Sequence, residues 1–301
     1  MQVAFRRSRR WAGFTAFLFL LPSLLLILIF QIYPFIKGVE YAFRDIELVR
    51  PTEGEFVGLR NFIIVLRSTT PRFWTVVLNS MVFTAGSIAG QIGLGLFFAI
   101  LLHQRWVKGR NVFRSIFLIP WVIAGVIVGY TWRFVYDPRA GLLNRFLIAL
   151  GIMPTPWLIS PRTVMIAAIV TNIWRGVGFD LLVQLAGLQS IDLDLLDAAA
   201  VDGASGTQLI YYIVLPLLKP FLLISLIVDT IATLNLFDLI FILTGGGPMY
   251  RTEVMSLYMY HLAFDQGYLG RGSAVSVILL LITLGLVMLY IFLFEEEAAR
   301  V

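Results

Sequence analysis

Asp197-Ala198-Ala199-Ala200-Val201-Asp202-Gly203-Ala204, followed after eight residues by Ile213-Val214-Leu215-Pro216, is a polar, alanine-rich segment set between long apolar stretches. Ser190 and Asp192 ahead of it are N-cap types, and the acids at 192, 194 and 197 suit the positive end of a helix. Gly203 fits the position just past a helix end, where a left-handed backbone is wanted. The spacing predicts a helix of about ten residues with one small, flat alanine face, of a kind that slips into a groove on another protein. Thr207 to Val214 reads as a second short helix, with Pro216 and Pro220 bending the chain back into the apolar sequence.

That sequence is too apolar for water. Hydrophobic residues make up 59% of the 301 and charged residues 14%, against about 25% charged in a soluble domain. With a mean hydropathy of +0.88, most of the surface must face lipid. The absence of cysteine excludes disulfides, thiolate metal sites and cysteine nucleophiles. His103 and His261 lie far apart with no ligand-spaced neighbours, so no metal site is expected. The net charge of +5 sits mainly beside apolar segments, which is a topology signal; a nucleic-acid partner would need a basic soluble domain.

Six stretches are long enough to cross about 30 Å of hydrocarbon. They are Trp11–Ile36, Trp74–Leu102 with Asn79 and Gln91 as its most polar members, Ser115–Trp132, Thr163–Leu188, Phe221–Thr244 and Gly272–Phe294. The first is 26 residues long, beyond the 7–15-residue apolar core of a signal peptide, and reads as a retained anchor. Arg6, Arg7, Arg9 and Arg10 precede it without an acid, and Arg105, Lys108, Arg110 and Arg114 fill the 103–114 loop in the same way. Both segments are therefore expected in the cytoplasm, and an even span count puts both termini there. Loops 37–73 and 133–162 hold ten basic residues between them. The first of these weighs less, because it is long and mixed in charge. The same orientation places loop 189–220 in the cytoplasm. Lys37 to Phe73, the largest non-membrane piece, is too short for a core of its own.

Acidic Asp197, then Ala198-Ala199, Gly203 three residues on and Ile213-x-Leu215-Pro216 after nine more resemble the EAA loop of importer-type ABC transporter permeases, with Asp197 where that family usually has Glu. The stretches Asn172-Ile-Trp-Arg-Gly-Val-Gly-Phe179, Leu185-Ala-Gly-Leu-Gln-Ser190 and Phe237-Asp-Leu-Ile-Phe-Ile-Leu-Thr-Gly-Gly-Gly-Pro248, with Thr252 and Tyr260 following, are similar to its carbohydrate-uptake branch. The similarity is to the larger-subunit type found in maltose and glycerol-phosphate importers, and is strongest over 172–272. Gly178 replaces the usual proline before Phe179, and Gly176 with Gly178 suggests a helix break there.

The resemblance implies an all-α membrane protein of six transmembrane helices in a prokaryotic cell (inner) membrane. Its parts would be an anchor helix and external loop (1–73), a permease core (74–294) with the coupling loop at 189–220, and a cytoplasmic tail (295–301). It implies that Asp197, Ala198, Ala199, Asp202, Gly203, Ala204, Ile213, Leu215 and Pro216 contact an ATPase. The implied partners are a second, homologous permease subunit, two ATP-binding cassette subunits, an extracytoplasmic solute-binding protein and a sugar-like solute. This chain carries no Walker motif, so ATP and Mg are expected on the partner ATPase and no cofactor or catalytic residue here. Gly245-Gly246-Gly247-Pro248 lacks the Lys-Ser/Thr of a phosphate loop and reads as a turn touching the binding protein, or as a plain flexible turn.

Charges within a bilayer are costly and face the bundle interior or a water-filled cavity. Arg175, Asp180, Asp229 and Asp238, with Asn235 beside the last, are therefore pathway candidates. By the resemblance, Asn172, Arg175, Gly176 and Phe179, then Asp229, Thr233 and Leu236, fall on sugar-pocket positions. Their spacings put each set on one helix face, and their amide, carboxylate, guanidinium and aromatic groups suit hydroxyls and an apolar sugar face. The competing reading pairs Arg175 with Asp180 or Asp229 as structural glue. Rival functions are an ion-coupled secondary transporter using Asp180, Asp229 or Asp238, and an intramembrane enzyme, for which no catalytic constellation is present.

Overall fold

The computed structural model describes residues 17–104 and 106–298. Arg6, Arg7, Arg9, Arg10, Arg105, the start of the first expected span at Trp11 and the last three residues of the tail lie outside them. The chain divides into two compact units, one of residues up to 65 together with 261–277, the other of 66–260 with 278 onward.

In the first unit, helix α1 (Phe17–Ala42) is 26 residues long with a mean hydropathy of 2.2, and none of its most apolar stretch is buried within the chain. A hairpin follows, β1 (Arg44–Glu47) paired antiparallel with β2 (Arg50–Phe56), then helix α2 (Arg60–Leu66). Buried Asn61 ties the hairpin to the helix end, its Nδ2 donating to the carbonyls of Ala42 at 3.0 Å and Arg44 at 2.7 Å. The Leu48 amide donates to the Gly267 carbonyl at 2.7 Å. The 37–73 segment thus carries a small sheet and a short helix that hydropathy did not reveal.

The second unit is built on two long helices, α3 (Phe73–His103) and α7 (Val164–Gln189). Gly86 and Gly90 of α3, a G-x-x-x-G pair, leave room for Ile169 and Ile173 of α7. Small residues at such positions let helices approach closely where lipid gives no hydrophobic drive. Helices α4 (Arg110–Val122) and α5 (Gly125–Val135) follow α3, and α6 (Leu142–Ala149) follows them. After α7 come α8 (Leu193–Val201), α9 (Gly206–Leu234), α10 (Asp238–Leu243) and α11 (Met255–Tyr260). The last helix, α12 (Leu269–Ala298), covers the sixth expected span.

Three expectations are corrected. The third span, Ser115–Trp132, is two helices bent by 98°, because Ile123 and Ala124 leave the helical conformation just past Val122, with Pro120 inside the last turn before them. The chain therefore has five long apolar helices and one bent pair among the described residues. The fifth span, expected at Phe221–Thr244, is helix α9 from Gly206 to Leu234, a turn at 235–237, and then α10. Thr207 to Val214 is accordingly no separate helix, and Pro216 and Pro220 do not turn the chain. A π-turn at Ile210–Val214 lies directly ahead of Pro216, as another at Leu28–Ile32 lies ahead of Pro34. A widened turn accommodates the amide that proline lacks. Third, α7 runs unbroken through Gly176 and Gly178. A Cβ at 178 would collide with the Phe117 carbonyl of α4, so that glycine serves close helix contact.

Candidate functional site

Helices α3, α4, α7 and α9, with the turn after α9, enclose a cleft of about 90 Å³ lined by Gln91, Trp121, Asn172, Arg175, Gly176, Asp229, Ala232, Thr233 and Leu236. Six of the seven residues that the resemblance assigned to a sugar pocket meet here. The seventh, Phe179, stacks on Trp121, ring centroids 5.6 Å apart and planes 18° from parallel. Gln91, Trp121 and Ala232 were missed. Gln91 stood out as one of the two most polar side chains in its span, and its partner explains its place: Nε2 donates to the Asn172 carbonyl at 2.8 Å, beside the bare Cα of Gly176.

The polar atoms of this wall lack partners. Asn172 and Asp229 are only 4% and 6% exposed, yet Asn172 Nδ2 and Asp229 Oδ2 make no hydrogen bond. Arg175 is half-buried, and among the described residues no carboxylate lies within ion-pair distance of it, so the structure does not pair it with Asp180 or Asp229. Buried groups of this kind cost about 1–3 kcal/mol each when left unsatisfied, so they mark a place where water or a solute supplies the missing bonds.

Three other pathway candidates lie outside the lining. Asp180 is fully buried behind Asp229, where Gly95 of α3 lets it approach. Asn235 caps its own helix, Nδ2 donating to the Ile231 carbonyl at 2.8 Å. Asp238 presses on Gly125 at the start of α5, while Ile242, one turn on, meets Gly129. It joins α10 to α5.

The coupling candidates form one continuous surface feature. Asp192 caps α8, its Oδ1 accepting from the Asp194 amide at 3.0 Å. Gly203 is left-handed at φ +87, and the Ala204 amide reaches back to the Ala199 carbonyl at 3.0 Å, the closing bond of a Schellman motif. The expected helix stop is where the glycine predicted it. Ser205 and Gln208 then form a capping box that opens α9, a signature legible as Ser-x-x-Gln. Leu196 packs inward against Leu102, Leu185, Leu188 and Val214. Leu195, Asp197, Ala198 and Val201 face outward, with Asp202 and Gly203; Ala199, Ala204, Ile213 and Leu215 are half-buried, and Pro216 is exposed.

The Gly245–Pro248 turn is held by its own hydrogen bonds. Gly245 and Gly246 have positive φ of 56 and 85. Thr252 Oγ1 bonds Thr244 Oγ1 and the Gly247 carbonyl, each at 2.8 Å, and Asn79 Nδ2 donates to the carbonyls of Tyr250 at 2.8 Å and Glu253 at 3.1 Å.

Residues 91–295 match the family of binding-protein-dependent transport system inner membrane components. The chain belongs to this family. It is a permease subunit, a membrane component and not itself a catalytic one. The permease is 38% identical over 91% of its length to the trehalose/maltose transport system permease protein MalF of Thermococcus litoralis, covering 92% of that protein. It is 32% identical over 92% of its length to the sulfoquinovosyl glycerol transport system permease protein SmoG of Agrobacterium fabrum, covering 89% of it. Its fold resembles that of a bacterial ABC transporter involved in import of the acidic polysaccharide alginate, at a TM-score of 0.82 and 25% identity, covering 98% of this chain and 99% of that one.

Proposed function

We propose that the permease carries a sugar or sugar-like solute through the cleft between α3, α7 and α9. The observation behind this reading is the unpartnered Asn172 Nδ2 and Asp229 Oδ2, which line one cleft together with Arg175 and Thr233. Amide, guanidinium, carboxylate and hydroxyl groups hydrogen-bond sugar hydroxyls, and the Trp121–Phe179 stack offers a flat face to sugar C–H groups. Two relatives named for trehalose/maltose and sulfoquinovosyl glycerol transport support a carbohydrate. The 90 Å³ volume is below the roughly 300 Å³ of a small-ligand pocket, which suits a half-site completed by a second permease subunit.

In this reading α8 and its Gly203 turn dock in the cytoplasm on one of two ATP-binding cassette subunits, which hold ATP and Mg. Both termini are cytoplasmic. Closure of the ATPase pair drives alternating access, and a solute-binding protein approaches the Gly245–Pro248 turn from outside. A related alginate importer has been seen with an oligosaccharide-bound periplasmic protein. Uptake by the reconstituted complex of the sugar its binding protein captures is the test. Asn172→Ala and Thr233→Ala should lower uptake while the complex still assembles; unchanged uptake in both would remove the cleft from the pathway.

A further inference from the structure

We propose that Asp180 and Asp229 form a buried site for one bound cation, a proton or a sodium ion, set at the back of the solute cleft, with Asp180 behind the lining and Asp229 shared with it. The two carboxyl groups are neighbours, and the Ser225 hydroxyl lies near Asp180. Asp180 and Ser225 are 0% exposed and Asp229 6%. Neither Asp180 oxygen, nor Asp229 Oδ2, nor Ser225 Oγ meets a partner in hydrogen-bonding geometry. Gln184, also 0% exposed and one turn from Asp180, donates through Nε2 to the Ile92 carbonyl at 3.3 Å and leaves its own Oε1 unpartnered.

This donor set contains only oxygen: two carboxyls and a hydroxyl, with the unpartnered Gln184 amide oxygen on the next turn of the same helix. Such a set suits a hard cation or a proton shared between carboxyls. The other charged and titratable groups on the helices packed around the pair are Arg175 on α7, Tyr211, Tyr212 and Lys219 on α9, His103 on α3, Arg110 and Arg114 on α4, and Tyr130 and Arg133 on α5. None forms an ion pair with either aspartate among the described residues. Two ionised carboxylates set against the single guanidinium of Arg175 in the adjoining cleft leave one negative charge over. Burying that charge without a counter-charge costs several kcal/mol, and one cation removes the imbalance. The cation is a resident counter-charge; ATP remains the source of energy.

The test uses the whole transporter, this chain with its partner subunits in lipid nanodiscs and no solute, so its failure leaves the solute reading untouched. Thermal unfolding is followed in choline chloride, in rising sodium chloride, and from mildly acidic to mildly alkaline pH. A ligand held only by the folded state raises the midpoint with its concentration. The quantity read is wild type minus Asp180→Asn, because exposed carboxylates and His103 titrate in both. A sodium site makes the difference grow with sodium; a proton site makes it shrink as pH rises, with sodium inert. At low cation Asp180→Asn should unfold at a higher temperature than wild type. Equal sodium and pH dependence in the two proteins overturns the site. Should Asp180→Asn fail to accumulate, Ser225→Ala removes one neutral ligand and should shift the sodium or proton midpoint by about tenfold; an unshifted midpoint overturns it equally.

Discussion

Replacing Gly203 separates the backbone of the α8 turn from whatever the turn docks against. Its φ of +87 lies in the left-handed region, and a Cβ built there meets nothing within 4 Å. Gly203→Ala therefore costs only the conformational penalty, about 1–2 kcal/mol, or a drop of about 5–30-fold in the population of the native turn. The Ala204–Ala199 hydrogen bond that closes the turn depends on that conformation. Gly203→Asn tolerates the same φ and should stay near wild type. Gly203→Trp pays the penalty of Ala and places its bulk at an exposed position, where a docked partner surface would meet it. The assay is ATP hydrolysed per solute molecule taken up by proteoliposomes. Asn should couple normally, Ala should lose uptake several-fold, and Trp should hydrolyse ATP without uptake while inserting normally. A well-expressed Trp protein coupling like wild type would refute docking at this turn.

Reporter fusions at residues 107 and 205 should report cytoplasm, and fusions at 55 and 250 the outside; an external signal at 205 removes the ATPase contact. Because no ion pair joins Arg175 to Asp229, Asp229→Asn should preserve yield and weaken uptake, and adding Arg175→Gln should restore nothing; rescue by the double change would re-establish them as a structural pair. Gly178→Val must push the Phe117 backbone aside at about 1–3 kcal/mol, lowering the unfolding temperature of the complex, whereas Gly93→Ala, with open space around it, should leave it unchanged or higher. Equal effects would show that α4 and α7 do not meet at 178.

Long helices were legible because lipid demands uninterrupted apolar length, and α3, α7 and α12 fall within a few residues of the expected spans. The 98° bend between α4 and α5 was not, since hydropathy continues across Ile123-Ala124 and reports no direction. The start of α9 was misplaced for the converse reason. Proline alone signals a break, but the π-turn at 210–214 absorbs Pro216 and the helix runs on through it. Within the cleft, the residues on α7 and α9 followed from helical spacing and family likeness. Gln91 and Trp121 arrive from α3 and α4, and such crossings depend on glycines such as Gly176, whose purpose shows only once the neighbouring helix is in place. Asp238 stands against Gly125 and outside the cleft lining, a placement that intramembrane charge alone does not foretell.

Helix α9 joins the two regions that matter. Counted from Gly206, beside the α8 turn, to Thr233 in the cleft, it is a rod about 40 Å long. Tilted by about 5° around its middle, such a rod shifts each end by nearly 2 Å, on the scale of one hydrogen bond. Under the proposed coupling, displacement at its base would reach the side chains of Asp229 and Thr233 along one continuous helix, by way of the π-turn at 210–214.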